Sequence, residues 1–163
     1  MALEIERKFL LKGIPQFKSN TECLRISQYY GTYKGERMRF RRTVPTSNPS
    51  AAFYDMTKKV FIKHGVYDET ISIIDKKEYT KRIVTADRYL KKKRYIVPHD
   101  LQSGGLKWEI DVMAKPLVFV LAEIETPTDD HDLTIPLFIE ELKIMEVTHL
   151  SEFSNYSLAV PKR

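Results

Sequence analysis

The chain has 163 residues, 30% of them charged and 42% hydrophobic, and carries a formal net charge of +5. That length reads as one domain over residues 1–163, long enough to bury a core, and the balance is ordinary for a soluble globular protein. No apolar run approaches the roughly 20 residues that cross a bilayer, and the single cysteine, Cys23, excludes an internal disulfide framework.

The positive excess favours anionic partners. Charged strand residues begin at the N-terminus and leave no room for a signal peptide, so a cytoplasmic location is expected. Cys23 reads as a small, partly buried thiol without a catalytic motif around it.

Eight stretches read as strand in chain order: Leu3–Leu11, Leu24–Tyr33, Glu36–Val44, Ala52–Ile62, Val66–Ile74, Tyr89–Val97, Leu106–Met113 and Leu117–Thr126. Several are rich in Ile, Val, Tyr and Phe and alternate with period two. Turn chemistry separates them at Lys34-Gly35, Pro45–Pro49, His64-Gly65, Pro98–Gly105 and Lys115-Pro116. Short strands at hairpin spacing predict a mainly antiparallel α+β fold whose sheet curls or closes into a barrel. Asp75 followed by Glu78 predicts a capped helix to about Ala86. Further helices are expected over Phe138–Met145 and, with Ser151 as a possible N-cap, over Ser151–Ala159.

The informative pattern is a set of charged pairs at spacing i, i+2, which places each pair on one face of its strand. Glu4 and Glu6 are followed by Lys8. Arg39 and Arg41 flank Phe40, Lys92 and Arg94 flank Lys93, Glu109 and Asp111 flank Ile110, and Glu123 and Glu125 flank Ile124. Polar-out alternation on a half-solvated sheet is the commonest source of such faces. Two features point the other way. The pairs sort into all-acid and all-base, and arginine in the Arg39/Arg41 pair suits bidentate phosphate contact. Turned inward, these faces would line a wet tunnel, because isolated charges are too costly to bury dry. The carboxylates would then hold hard divalent cations through oxygen, with the bases clamping phosphate oxygens.

With these motifs in this order, the sequence resembles the CYTH superfamily, the triphosphate tunnel metalloenzymes. Glu4-x-Glu6-x-Lys8 is similar to the family's N-terminal ExExK signature. Arg39-x-Arg41, Thr57-x-Lys59, Lys92-x-Arg94, Trp108-Glu-Ile-Asp111-Val and Ala122-Glu-Ile-Glu125 follow, then Glu146-Val-Thr148, Asn155 and Leu158-Ala159. The resemblance implies an eight-stranded antiparallel tunnel with helices outside and a triphosphate substrate bound with Mg2+ or Mn2+. It implies Glu4, Glu6, Glu123, Glu125 and Asp111 as metal ligands, with Glu109 completing or orienting the acidic side. It implies Lys8, Arg39, Arg41, Lys59, Lys92 and Arg94 as phosphate-binding residues. Where many relatives carry R-x-E-x-E, this chain has Tyr67, Glu69 and Ile71, and Lys58 and Lys63 compete with Lys59 if the strand bulges. Leu142 stands where relatives of this type often have Trp.

The expected chemistry is metal-dependent hydrolysis of a terminal phosphoanhydride of inorganic triphosphate or a small organic triphosphate, with Glu69, Glu109 or Asp111 orienting water. The competing reading within the same fold is an adenylate cyclase making cyclic AMP and pyrophosphate. It needs a purine pocket that the sequence does not identify. A non-catalytic polyphosphate or RNA binder is a different class, using the basic runs 39–42 and 91–94. Acidic pairs and the lack of an arranged stacking platform disfavour nucleic acid. His64, His99 and His131 lie near turns and are expected at the surface.

Overall fold

The computed structural model describes residues 2–101, 104–117 and 119–162. Gln102 and Ser103 in the expected 98–105 turn, and Val118 in the expected 117–126 strand, lie outside the described residues. All eight predicted strands form: β1 (Ala2–Leu11), β2 (Glu22–Tyr33), β3 (Glu36–Pro45), β4 (Phe53–Lys63), β5 (Val66–Ile74), β6 (Arg88–Pro98), β7 (Lys107–Met113) and β8 (Val120–Glu125).

Every pairing is antiparallel, in the order β6-β2-β3-β4-β5-β1-β8-β7, and β7 returns to β6. The sheet is therefore a closed eight-stranded barrel, which removes the exposed edges of an open sheet. Strand alternation then assigns one parity of each strand to the lumen and the other to the outside.

The outer parity carries most of the apolar packing. Phe9, Leu11, Trp108, Ile110, Ala122 and Ile124 form a buried cluster with Leu133 and Ile139, so residues 133–142 lie over the β1-β8-β7 wall. On the opposite wall, α1 (Lys76–Val84) covers Met38 and Phe40 through Tyr79. Its start is the predicted one: the Glu78 amide donates to Asp75 Oδ1 at 2.7 Å. A third cluster joins Tyr30, Leu90, Met113 and Leu121 to Val147, Leu158 and Ala159, where the C-terminal segment packs against the barrel.

The C-terminal third departs from expectation. The helix expected over 138–145 is only α2 (Leu137–Glu140), and the rest becomes β9 (Lys143–Glu146). The reason lies in β1, which outruns β5. Residues Ala2–Ile5 pair with β5, whereas Phe9–Leu11 would present a bare edge, and β9 fills it. The helix expected over 151–159 splits into a 3-10 turn, Ser151–Phe153, and α3 (Asn155–Leu158). Its N-cap is Ser154, which accepts from the Ser157 amide at 3.1 Å, and not Ser151. A short β10 (Val160–Pro161) follows on β6.

His99 is also corrected. It is buried and accepts a hydrogen bond at Nδ1 from Trp108 Nε1 at 3.0 Å, because the indole N–H is sealed inside and needs a partner. Among the described residues, no helix is long and apolar enough to cross a membrane.

A lumen divided by charge

The inward parity places charges of one sign on neighbouring strands. β6 brings Lys92 and Arg94, β3 brings Arg39 and Arg41, and β4 brings Lys59; β2 contributes the neutral Gln28 between them. The other half of the circumference is acidic: Glu69 from β5, Glu4 and Glu6 from β1, Glu123 and Glu125 from β8, Glu109 from β7. A chamber of about 180 Å3 is lined by all of these side chains and by Asn155 of α3. The sequence-predicted residues therefore meet, with Lys8 and Asp111 as the exceptions to this lining.

Internal ion pairs hold much of the lumen. Lys59 Nζ lies 2.5 Å from Glu4 Oε2 and 3.9 Å from Glu6. Lys8 Nζ is 3.2 Å from Glu123, and it donates to the Phe153 carbonyl at 3.2 Å. Burial opposes charge on both lysines, yet Glu123 and Glu6 beside Lys8, and Glu6 and Glu4 beside Lys59, hold both above the ordinary lysine value. Glu123 is likewise held well below the usual carboxylate range, despite its burial, by Lys8, Lys92 and Arg94.

Asp111, expected as a metal ligand or water-orienting group, is engaged by two cations in this structure. It is fully buried on the inward parity of β7, beneath Lys92 and Arg94, and is not among the residues lining the charged chamber. Arg94 donates to its two oxygens at 2.7 Å each, and Lys92 donates at 2.6 Å. Both oxygens thus accept from side chains that themselves line the lumen. Burial still lowers Lys92 to about 8, against the pull of Asp111.

The other acids differ in kind. Glu109 pairs with Arg94 Nη1, and burial raises its pKa in spite of that arginine. Glu125 sits at the chamber mouth and is raised by partial burial and then by Glu4, Glu109, Glu69 and Glu6. Among the described residues, neither Glu69 nor Glu125 has an ion pair within 4 Å. No three acidic or histidine side chains among the described residues already enclose a metal position. The donor set nevertheless suits a hard divalent cation: carboxylates from four adjacent strands, with Glu125 crowded by its own sign.

On the basic side, Arg41 donates from Nε to Asp55 at 2.9 Å, and Arg39 donates from Nη2 to Thr57 at 3.0 Å. Arg39 Nε is buried without a hydrogen-bond partner. Burial and neighbouring Arg39 lower Arg41 although Asp55 counteracts them. Such crowding of like charge favours an incoming anion. The Lys58, Lys59 and Lys63 ambiguity resolves structurally. Lys58 pairs with Glu36 and Lys63 with Asp129, both outside the lumen, and the bulge falls between Phe61 and Lys63, beyond Lys59.

Sequence reasoning missed Gln28 and Asp55 and met Thr57 only as the motif neighbour of Lys59; the three are neutral or locally neutralised and break the all-acid or all-base pattern. Their signal was inward parity: Gln28 pairs across from Arg41, Asp55 from Arg41, and Thr57 from Arg39.

No protein-family model matches the chain, and no curated protein matches it. Solved structures do. The inorganic triphosphatase NE1496 is 24% identical with a TM-score of 0.59, over 99% of this chain and 99% of that one. A protein from Pyrococcus horikoshii OT3 is 16% identical with a TM-score of 0.54, over 77% and 78%. A Bacillus halodurans protein provisionally called an adenylate cyclase is 16% identical with a TM-score of 0.50, over 80% and 85%. The likeness is one of fold: this chain shares the closed antiparallel barrel of these proteins.

Proposed function

We propose that the protein is a metal-dependent triphosphatase that cleaves the terminal phosphoanhydride of a triphosphate by attack of water. The observation that carries this reading is the division of one lumen into a basic arc and an acidic arc facing each other. A triphosphate chain is the ligand class that needs both, with cations for its oxygens and carboxylates for the metal that accompanies it.

In this reading Arg39, Arg41, Lys59, Lys92 and Arg94 grip phosphate oxygens, and Lys8 sets the position of Glu123 and contributes at the chamber's end. Glu4, Glu6, Glu123 and Glu125 would hold Mg2+ or Mn2+, which neutralises charge on the phosphates when bound. Glu69 is the carboxylate best suited to orient the water, since no internal cation occupies it, with Glu109 next. Water adds to the terminal phosphorus, the bridging oxygen leaves with the pyrophosphate, and the water's proton passes to the carboxylate and solvent. Asp111 is assigned to positioning.

Phosphate release from inorganic triphosphate, pyrophosphate, ATP and thiamine triphosphate, each with Mg2+ or Mn2+, tests the reading. Release of inorganic phosphate and pyrophosphate from triphosphate, abolished by a chelator, is expected. Cyclic AMP with pyrophosphate from ATP would instead identify a cyclase. Binding of long polyanions without turnover would identify a non-catalytic binder.

A further inference from the structure

The lumen uses only half of the basic runs 39–42 and 91–94. Strand alternation turns Arg39, Arg41, Lys92 and Arg94 inward and sends Arg42, Lys91 and Lys93 to the outside of the barrel. Arg25 joins them from β2, directly across from Lys93. In the next row, Ser27 stands between Arg42 of β3 and Lys91 of β6. All four cations are exposed, and among the described residues none of them forms an ion pair.

Their surroundings leave this charge uncompensated. No acidic residue holds an outward position on β2 or β6. Glu36, the outward acid of β3, is at the far end of its strand and is taken by Lys58. Helix α1 lies over Met38 and Phe40, and residues 133–142 lie over the β1-β8-β7 wall, so the centre of the β2-β6 wall faces solvent.

Aromatic rows bracket the cations. Beyond Lys91, Tyr29 and Tyr89 face each other across β2 and β6, with rings 6.0 Å apart and 29° from parallel. Beyond Lys93, Tyr95 stands opposite Cys23 and is stacked on Phe17 at 4.1 Å. These rings are half-buried, so packing holds them while part of each stays at the surface. From Cys23 to Tyr29 the four rows cover about 20 Å at roughly 3.4 Å per residue. Sequence order hides this platform, because its two tyrosine-bearing strands meet only through the β2-β6 pairing.

Chemistry selects the occupant. Four unpaired cations attract a polyanion. An anionic membrane surface calls for apolar side chains to insert, whereas this wall offers tyrosine, serine and cations. An acidic peptide would meet the cations and leave the rings idle. A single strand of nucleic acid uses both, its phosphates on the cationic rows and its unstacked nucleobases on the tyrosines.

We infer that the outer β2-β6 wall is a docking surface for single-stranded nucleic acid, distinct from the lumen and its chemistry.

The test is fluorescence anisotropy of a short labelled oligouridylate with hydroxyl ends, so that no terminal phosphate addresses the lumen. Four cations predict a slope of log K against log salt of about −3, at roughly −0.7 for each neutralised phosphate. Arg25→Gln combined with Lys93→Gln should halve that slope, and both positions are exposed, so folding, checked by circular dichroism, should survive. Arg41→Ala, inside the lumen, should leave it unchanged. The wild type should bind oligouridylate at least about tenfold tighter than inorganic polyphosphate or polyglutamate of equal charge. Tyr89→Leu keeps an apolar side chain without the ring, and should weaken oligouridylate at least about fivefold with polyphosphate binding unchanged. The slope and the polyanion comparison do not depend on that variant. Equal binding of polyphosphate or polyglutamate, displacement of the oligouridylate by anionic vesicles, or a slope lost in Arg41→Ala and kept in the outer double variant overturns the inference.

Discussion

Replacing Asp111 by Asn separates positioning from metal ligation. The carboxylate is fully buried and receives two bonds of 2.7 Å from Arg94 and one of 2.6 Å from Lys92. Asparagine keeps the shape but removes the charge and turns one acceptor into a donor that faces donors. Two cations then remain in a wall without their counter-charge, a defect that costs about 3–5 kcal/mol when a buried pair loses one partner. With a urea m-value of about 2 kcal/mol/M, the unfolding midpoint should fall by roughly 1.5–2.5 M. Urea unfolding without divalent metal, followed by far-UV circular dichroism, reads this directly. A metal-ligand role predicts the opposite pattern: little change in metal-free stability and a large loss of metal affinity. A shift corresponding to under about 1 kcal/mol would refute the reasoning.

Three further outcomes follow from the same geometry. Gly65→Ala, at φ 79° with Thr148 and the Glu6 carbonyl already within 3 Å of the new methyl, should destabilise by roughly 2 kcal/mol or more in the same urea assay. Lys92, lowered to about 8, should lose its proton and weaken triphosphate binding as pH rises through about 8, and binding that stays flat to pH 9.5 would contradict this. Its linkage to stability has the reverse sign: between about 8 and the ordinary lysine value of 10.5 the unfolded chain holds a proton that the folded one does not. Lys92's contribution to stability therefore improves as pH rises across that window. Lys59→Met should cut phosphate release by at least about tenfold, whereas Lys58→Met and Lys63→Met, at surface pairs, should change it by less than about twofold.

The strands and the charged arcs were legible because both rest on period two. Once Glu4, Glu6, Arg39, Arg41, Glu123 and Glu125 are read as single-face pairs, barrel closure determines only whether that face is inside. Closure also decided what the pairs could not. Glu109 and Asp111 look alike in sequence and share the inward parity, yet Glu109 lines the chamber while Asp111 is covered by Lys92 and Arg94. The C-terminal third was misread for a reason outside its own residues. Phe138, Ile139, Leu142 and Met145 suit a helical stripe, but the bare edge of β1 at Phe9–Leu11 draws 143–146 into a strand.

The most direct test of the divided lumen is phosphate release from inorganic triphosphate with Mg2+, measured for the wild-type protein, Glu6→Gln and Arg41→Ala, with circular dichroism to confirm folding. The account predicts chelator-sensitive turnover in the wild type and its loss in both folded variants, one from each arc. Near-normal rates in both variants would contradict it.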